Sequence, residues 1–360
     1  MKIAVILGTR PEIIKLSVII RICQEKKYDY FVIHTGQHYS YEMDKTFFKD
    51  LELPEVKYNL DVGSGTHGEQ TAKILERIEQ VLIKEKPDIA LVQGDTNTVL
   101  AGGLAASKLG IKVGHVEAGL RSYDRNMPEE TNRVLTDHLS DFLFCPTENS
   151  KKIAASEKID EEKIYVTGNT IVDAVIENKK IAAKKSNILE ELKIKKEKYI
   201  LVTAHRQENV DVEEKLQNLI SAFEELYNKY KMPIIYPMHP RTQKMIKKFN
   251  IRTPENLKII NPVGFLDFLM LEANAKIILT DSGGVQEESC ILQIPCVTLR
   301  ENTERPETIE VGSNKLAGTD PENIIKAVEE MINITKNWEN PFGNGKSSEK
   351  ILEILKQKIK

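Results

Sequence analysis

Several segments of this chain place charged or polar residues directly after short apolar runs, where a parallel α/β sheet delivers them to its carboxyl edge. Asp95 follows the run 89–93 within Gln93-Gly94-Asp95-Thr96-Asn97, and Glu117 closes the run 112–117 ahead of Ala118-Gly119-Leu120-Arg121. An acid closing an otherwise apolar strand is hard to explain by packing, because an unpaired buried carboxylate is costly. Asp95 has a second possible role as a helix cap, and Glu117 has none. Glu129-Glu130 follow Met127-Pro128 at the start of a helical pattern, where helix-dipole stabilisation and acid–base work are both open.

Anion chemistry is written into other segments. In Gly8-Thr9-Arg10-Pro11-Glu12-Ile13-Ile14-Lys15, Pro11 fits the first helical position, Arg10 falls at the sheet edge and Lys15 lies one turn further on. A positive pair beside a helix N-terminus suits a diphosphate. In Leu279-Thr280-Asp281-Ser282-Gly283-Gly284-Val285-Gln286-Glu287-Glu288, a strand runs into Ser282, Gly283 and Gly284 and then a helix. Bare backbone N–H groups there face outward as an anion cradle, and Glu288, one turn inside, is placed to reach a ribose-type diol. His205 follows the run 199–203, and Glu304-Arg305-Pro306-Glu307 adds an arginine in a rigid loop.

Other chemistries find little support. Gly63-Ser64-Gly65-Thr66-His67-Gly68 satisfies G-x-G-x-x-G, but the run before it is short and polar and position 84 is a lysine, so it reads as a flexible glycine loop. There is no H-E-x-x-H, no Walker lysine motif, no Asp-x-Asp pair and no G-x-S-x-G elbow, and His34 and His38 flank a strand end. No metal and no cofactor is expected. Phosphate cradles, basic residues and scattered carboxylates together suggest a nucleotide-sugar site between two domains.

The elements that must carry these residues are apolar runs alternating with helical patterns. Strands are expected at 2–7, 30–34, 89–93, 112–117, 142–145 and 163–166, with helices over 70–84, 99–109 and 131–139. The plan repeats at 199–203, 234–236, 258–260, 275–279 and 295–298. Such alternation implies βαβ units, a buried parallel sheet in each half and two Rossmann-like domains. The length of 360 residues agrees, since single cores stop growing near 250–300. The lysine-rich stretch 177–198 reads as a solvated helix and linker at the junction.

Composition narrows the class further. With 51 basic and 54 acidic residues the net charge is −3, which argues against a generic nucleic-acid or anionic-membrane binder. No stretch of about 18 apolar residues suggests a membrane span, and 1–7 reads as a first strand, not a signal peptide. Cys23, Cys145, Cys290 and Cys296 form no C-x-x-C pair, so buried thiols and a cytoplasmic location are expected.

Over essentially its whole length the sequence resembles the non-hydrolysing UDP-N-acetylglucosamine 2-epimerases. The resemblance rests on Gly8-Thr9-Arg10-Pro11-Glu12, Gly94-Asp95-Thr96, Gly114-His115-Val116-Glu117-Ala118-Gly119-Leu120-Arg121, Pro128-Glu129-Glu130-x-Asn132-Arg133, Gly168-Asn169-Thr170, the Thr280–Glu288 segment and Thr303-Glu304-Arg305-Pro306-Glu307. It implies a glycosyltransferase-B-like α/β fold, with residues 1–170 plus a returning helix at 346–360 in one domain and 171–345 in a UDP-binding domain. It further implies an interdomain active site and a homodimer that needs neither NAD nor metal. The implied activity is reversible epimerisation at carbon 2 of UDP-N-acetylglucosamine, by elimination of UDP to a 2-acetamidoglucal and re-addition. The family pattern maps acid–base work onto Asp95, Glu117 and Glu129, with His205 assisting near the diphosphate. It maps nucleotide contacts onto Arg10, Lys15, Phe268, Ser282, Gly283, Gly284, Glu288 and Arg305. Where the family often has Gln, this chain has Val263, which offers only its backbone to a uracil. After Gln37-His38 the segment Tyr39-Ser40-Tyr41-Glu42-Met43 departs from the usual pattern of members activated by a second substrate molecule, so that activation is not expected. Two alternatives stay open: the same chemistry on a UDP-2,3-diacetamido uronic acid, and a glycosyltransferase of the same fold.

Overall fold

A computed structural model describes residues 1–37 and 41–359; His38, Tyr39 and Ser40, which figure in the metal and activator expectations, lie outside the described residues. The chain forms two compact units, 1–177 with 342–360, and 178–341. The first division falls inside the helix Thr170–Lys185, because part of the lysine-rich stretch expected as a linker is helical.

Unit 1 is built on a seven-stranded parallel sheet. Its strands are β1 (Lys2–Leu7), β2 (Asp29–His34), β3 (Tyr58–Asn59), β4 (Ile89–Gln93), β5 (Lys112–Val116), β6 (Phe142–Cys145) and β7 (Ile164–Val166). They lie in the order β3-β2-β1-β4-β5-β6-β7. β1 lies inside the sheet next to the central β4, with Val5 opposite Val32 on one side and Leu91 on the other. A strand covered on both faces must be apolar throughout, and Ile3 to Leu7 are fully buried. Ala4, Ile6, Phe31, Ile33, Ile74, Ile78, Ala90 and Val92 form one side of this core.

The last helix, Ser347–Lys358, belongs to unit 1. Its first amides, of Ser347 and Ser348, donate to the Asp173 carboxylate at 3.2 and 2.7 Å, so a buried acid caps an otherwise orphaned helix end. Lys26, capping the helix Arg10–Glu25, pairs with Glu349 at 2.9 Å on the same face.

Unit 2 repeats the plan with β8 (Ile200–Thr203), β9 (Ile234–Pro237), β10 (Leu257–Ile260), β11 (Ile277–Thr280), β12 (Cys296–Thr298) and β13 (Asn314–Leu316), ordered β10-β9-β8-β11-β12-β13. All its pairings are parallel. Among the described residues no helix is long and apolar enough to cross a membrane. All four cysteines are buried and free.

Strand order decides where ligands can go. In each sheet the order reverses once, between β1 and β4 and between β8 and β11. Open α/β sheets bind ligands beyond the carboxyl ends of the strands at such a reversal, where adjacent loops diverge to opposite faces. The segments following those strands are 8–10 and 94–97 in unit 1, and 204–206 and 281–284 in unit 2. They hold Arg10, Asp95, His205, Ser282, Gly283 and Gly284, half of the candidate site residues.

Candidate active site

In unit 1 a cavity of about 260 Å³ opens beyond β4, lined among others by Gln37, Ser64, Gly65, His67, Asp95, Glu129 and Asn132. Asp95 does not cap the helix Asn97–Lys108; Thr96 does, accepting the Val99 N–H. Asp95 instead accepts from Arg133 Nη2 at 2.5 Å, and Asn132 Nδ2 donates to its backbone carbonyl at 2.9 Å. The two neighbouring acids at 129 and 130 divide their roles. Glu130 is buried and accepts the amides of Ser122 and Tyr123 and a guanidinium N–H of Arg133. Burial opposes its ionisation, but those donors hold its carboxyl below the usual range. Glu129 faces the cavity and has no hydrogen-bond or ionic partner among the described residues.

Glu117 departs from the strand-end expectation. β5 stops at Val116, and Glu117 turns out of it with φ +72°. An L-residue in the left-handed region carries strain, which the surroundings must over-determine. They do: the Glu117 amide donates to the Phe144 carbonyl at 3.0 Å, and its carboxylate accepts from Lys15 Nζ at 2.5 Å and from Gln93 Nε2. Two residues on, Gly119 has φ +78°, and a Cβ there would lie 2.3 Å from the Ser150 carbonyl oxygen, so only glycine fits.

Lys15, expected beside Arg10 at a diphosphate, is paired here with the Glu117 carboxylate. The helix begins at Arg10 itself, putting Pro11 in its second position and not its first. Arg10 lies at the surface over the Phe47 ring, with its Nε 3.5 Å from the buried Asp44. Behind the cavity His115, on β5, spans Asp137 (2.6 Å) and the Gly94 carbonyl (2.8 Å), while Asp137 also takes the Gly119 amide and Arg121. This buried network braces the backbone just before Asp95 and on both sides of Glu117.

In unit 2 a second cavity of about 220 Å³ is lined by Thr203, His205, His239, Pro262, Val263, Phe268, Ser282 and Val285, among others. Its walls are chiefly apolar, Phe268 and Val263 among them. Ser282 is the N-cap of the helix Gly283–Ile291, so the amides at 283 and 284 face outward beside an exposed Gly284. Asp281, fully buried, accepts the amides of His205 and Arg206, each at 2.9 Å, and Asn209 Nδ2 at 3.2 Å. That fixes His205 at the mouth of the cavity, its ring centroid 6.0 Å from His239. Burial first, then His205 and Arg241, holds His239 below the usual imidazole range.

Two nucleotide-contact candidates have protein partners. Arg305 Nε donates to the buried Glu287 at 2.6 Å. Glu288 is half-buried beside Glu272 of the helix Phe265–Asn274, and burial together with Glu288 pushes the Glu272 carboxyl well up. Among the described residues no cluster suited to hold a metal ion is found.

Several lining residues escaped the sequence reading: Gln37, Ser64, Gly65, His67, Gln70, Asn97 and Asn132 in unit 1, and His239 and Pro262 in unit 2. A signal existed for the 63–68 loop. Thr66 and Glu69 form a capping box that fixes the helix start at His67, so the loop is pinned at one end.

Two doubly wound parallel units, one with an acidic cavity and one with an apolar cavity beside a helix N-terminus, define a glycosyltransferase-B-like α/β fold. The sequence profile of the UDP-N-acetylglucosamine 2-epimerases matches residues 21–356. A UDP-N-acetylglucosamine 2-epimerase of Methanocaldococcus jannaschii is 60% identical over 361 residues, covering 99% of both chains. A UDP-2,3-diacetamido-2,3-dideoxy-D-glucuronate 2-epimerase of Pseudomonas aeruginosa is 38% identical, with the same coverage. A crystal structure of the Methanocaldococcus jannaschii UDP-GlcNAc 2-epimerase superposes with a TM-score of 0.92 at 58% identity, covering 99% of this chain and 100% of that one. The chain belongs to the UDP-N-acetylglucosamine 2-epimerase family.

Proposed function

We propose that this protein interconverts UDP-N-acetylglucosamine and UDP-N-acetylmannosamine. The single observation that carries the reading is Glu129, a carboxylate without a partner among the described residues, in one cavity with Asp95. The 60% identity over the full length to an enzyme of that activity supports it. The Pseudomonas aeruginosa relative, acting on a diacetamido uronic acid nucleotide, supports a second reading in which the same chemistry meets that sugar. A glycosyl transfer reading is supported by the fold alone.

The hydrogen on carbon 2 of the sugar is not acidic while UDP stays attached. As the C1–O bond breaks and UDP leaves with its electron pair, carbon 1 becomes oxocarbenium-like and the neighbouring C2–H becomes labile. A carboxylate takes that proton, and the C–H pair becomes the C1=C2 bond of a 2-acetamidoglucal. Protonation of carbon 2 on the opposite face and return of a UDP oxygen to carbon 1 give the epimer. In this reading Asp95, Glu117 and Glu129 handle the sugar protons. Arg10, Arg305, His205 and the amides at 282–284 stabilise the departing diphosphate, and Phe268 and Val263 hold the uracil. Glu288 takes the ribose hydroxyls, and Lys15 holds Glu117. The protein is further inferred to act as a homodimer.

Incubation with UDP-N-acetylglucosamine in deuterium oxide tests the reading: the manno epimer should form with deuterium at carbon 2. Parallel turnover of the diacetamido uronic acid nucleotide decides between the two sugars.

A further inference from the structure

Glu12 is only 2% exposed although it is the third residue of a helix. Its Oε2 accepts the Gly8 amide at 2.6 Å and the Thr9 amide at 3.3 Å, the ordinary work of a capping-box acid. Its Oε1 does something else. It accepts the hydroxyl of Thr96, 84 residues along the chain, at 2.6 Å. That hydroxyl in turn accepts the Val99 amide at 3.4 Å and so caps the helix Asn97–Lys108.

One carboxyl thus links the starts of two helices at the β1/β4 reversal of the sheet. Arg10 follows Thr9 on one side, and Asp95 precedes Thr96 on the other. A cap needs one oxygen and works at the surface, so capping does not account for burying a carboxyl and spending its second oxygen on a distant loop. Glu12 is not among the residues lining the cavity, so it acts on the site only through what it holds.

We propose that Glu12 is a positioning residue: through Thr96 it holds Asp95 in register with the turn that carries Arg10. The kinetic form of this inference rests on the epimerase reading; its structural form does not.

The test compares wild type with Glu12→Gln, Thr96→Val, Thr96→Ser and the Glu12→Gln/Thr96→Val double variant, reading kcat and KM for UDP-N-acetylglucosamine. Hydrogen exchange over 94–99 is followed by mass spectrometry. Each of Glu12→Gln and Thr96→Val should lower kcat about tenfold or more while KM moves less than about threefold, as expected when an acid–base group is displaced without loss of binding. The double variant should fall no more than about twofold below the worse single, because both changes cut the same link. Thr96→Ser, which keeps the hydroxyl, should stay within about threefold of wild type, and Glu12→Gln should exchange faster over 94–99. Wild-type kcat in folded Glu12→Gln, or losses that multiply, overturns the proposal. If Glu12→Gln does not fold, the Thr96 pair decides: a fully active Thr96→Val overturns it. If wild type itself shows no turnover, the epimerase reading falls, and unchanged exchange over 94–99 in Glu12→Gln then overturns the positional link as well.

Discussion

Lys15 Nζ lies 2.5 Å from Glu117 Oε2, joining residues 102 positions apart, and both side chains are nearly enclosed, at 14% and 7% exposure. With Gln93 on the same oxygen, this pair holds a carboxylate that leaves its strand in the left-handed region. The Lys15 charge, expected beside a diphosphate, is here paired with an acid.

Replacing Lys15 by Met should therefore act first through Glu117. Removing one partner of an enclosed pair leaves an uncompensated charge, so a loss of about 3 kcal/mol is expected by urea denaturation. Turnover should fall about a hundredfold or more, while UDP affinity, measured by calorimetry, stays within about threefold. A large loss of UDP affinity with intact stability would return Lys15 to the phosphates.

Asp95, Glu129 and Glu130 should separate cleanly. Glu129→Gln removes no hydrogen bond or ion pair among the described residues and should leave stability within about 0.5 kcal/mol while turnover falls by about 10³ or more. Asp95→Asn weakens the Arg133 pair and should cost about 1 kcal/mol along with activity. Glu130→Gln disturbs the Ser122 and Tyr123 amides and should lose about 1–3 kcal/mol, with the smallest effect on kcat of the folded protein.

Glu12 gives a signed pH prediction. Burial, opposed by Thr96 and the Gly8 and Thr9 donors, raises its carboxyl to about 7 from 4.5. The folded state then binds a proton that the unfolded state has released, so this group's contribution is fully present below pH 4.5 and is lost as pH rises through about 7. The difference is at most about 3 kcal/mol. Urea unfolding at pH 5 and pH 8 should show a smaller drop for Glu12→Gln than for wild type; equal drops would contradict it.

Asp281 holds unit 2's site together. With three donors on a fully buried carboxylate, Asp281→Ala should cost about 3 kcal/mol and weaken UDP binding at least about tenfold by loosening the segment that carries His205. Binding unchanged in a folded variant would detach His205 from the nucleotide.

What the sequence made legible was set by local physics. β4 and β6 occupy the expected 89–93 and 142–145, because a fully buried strand is a continuous apolar run with sharp ends. β3 (Tyr58-Asn59) and β13 (Asn314-Lys315-Leu316) are short and interrupted by polar residues, so they carry too little apolar pattern to stand out. Asp95, Glu117 and Ser282 were legible as sheet-edge residues for the same reason. Their partners Arg133, Lys15 and Gln93 were not, since pairing over tens of residues leaves no local trace. Nor was the division between Glu129 and Glu130, adjacent acids on one helix turn that differ only in what surrounds them. The 63–68 loop lacks the setting of a dinucleotide motif, yet its Ser64, Gly65 and His67 line the cavity with Asp95.

The central claim is that carbon 2 of the sugar is deprotonated and reprotonated during reversible loss of UDP. Incubating the enzyme with UDP-N-acetylglucosamine alone in deuterium oxide, and following the nucleotide sugars by proton NMR, tests it most directly. The account predicts UDP-N-acetylmannosamine carrying deuterium at carbon 2, with exchange appearing in recovered UDP-N-acetylglucosamine and absent in Glu129→Gln. An unchanged substrate with its carbon-2 proton intact, or an epimer that retains that proton, would contradict it.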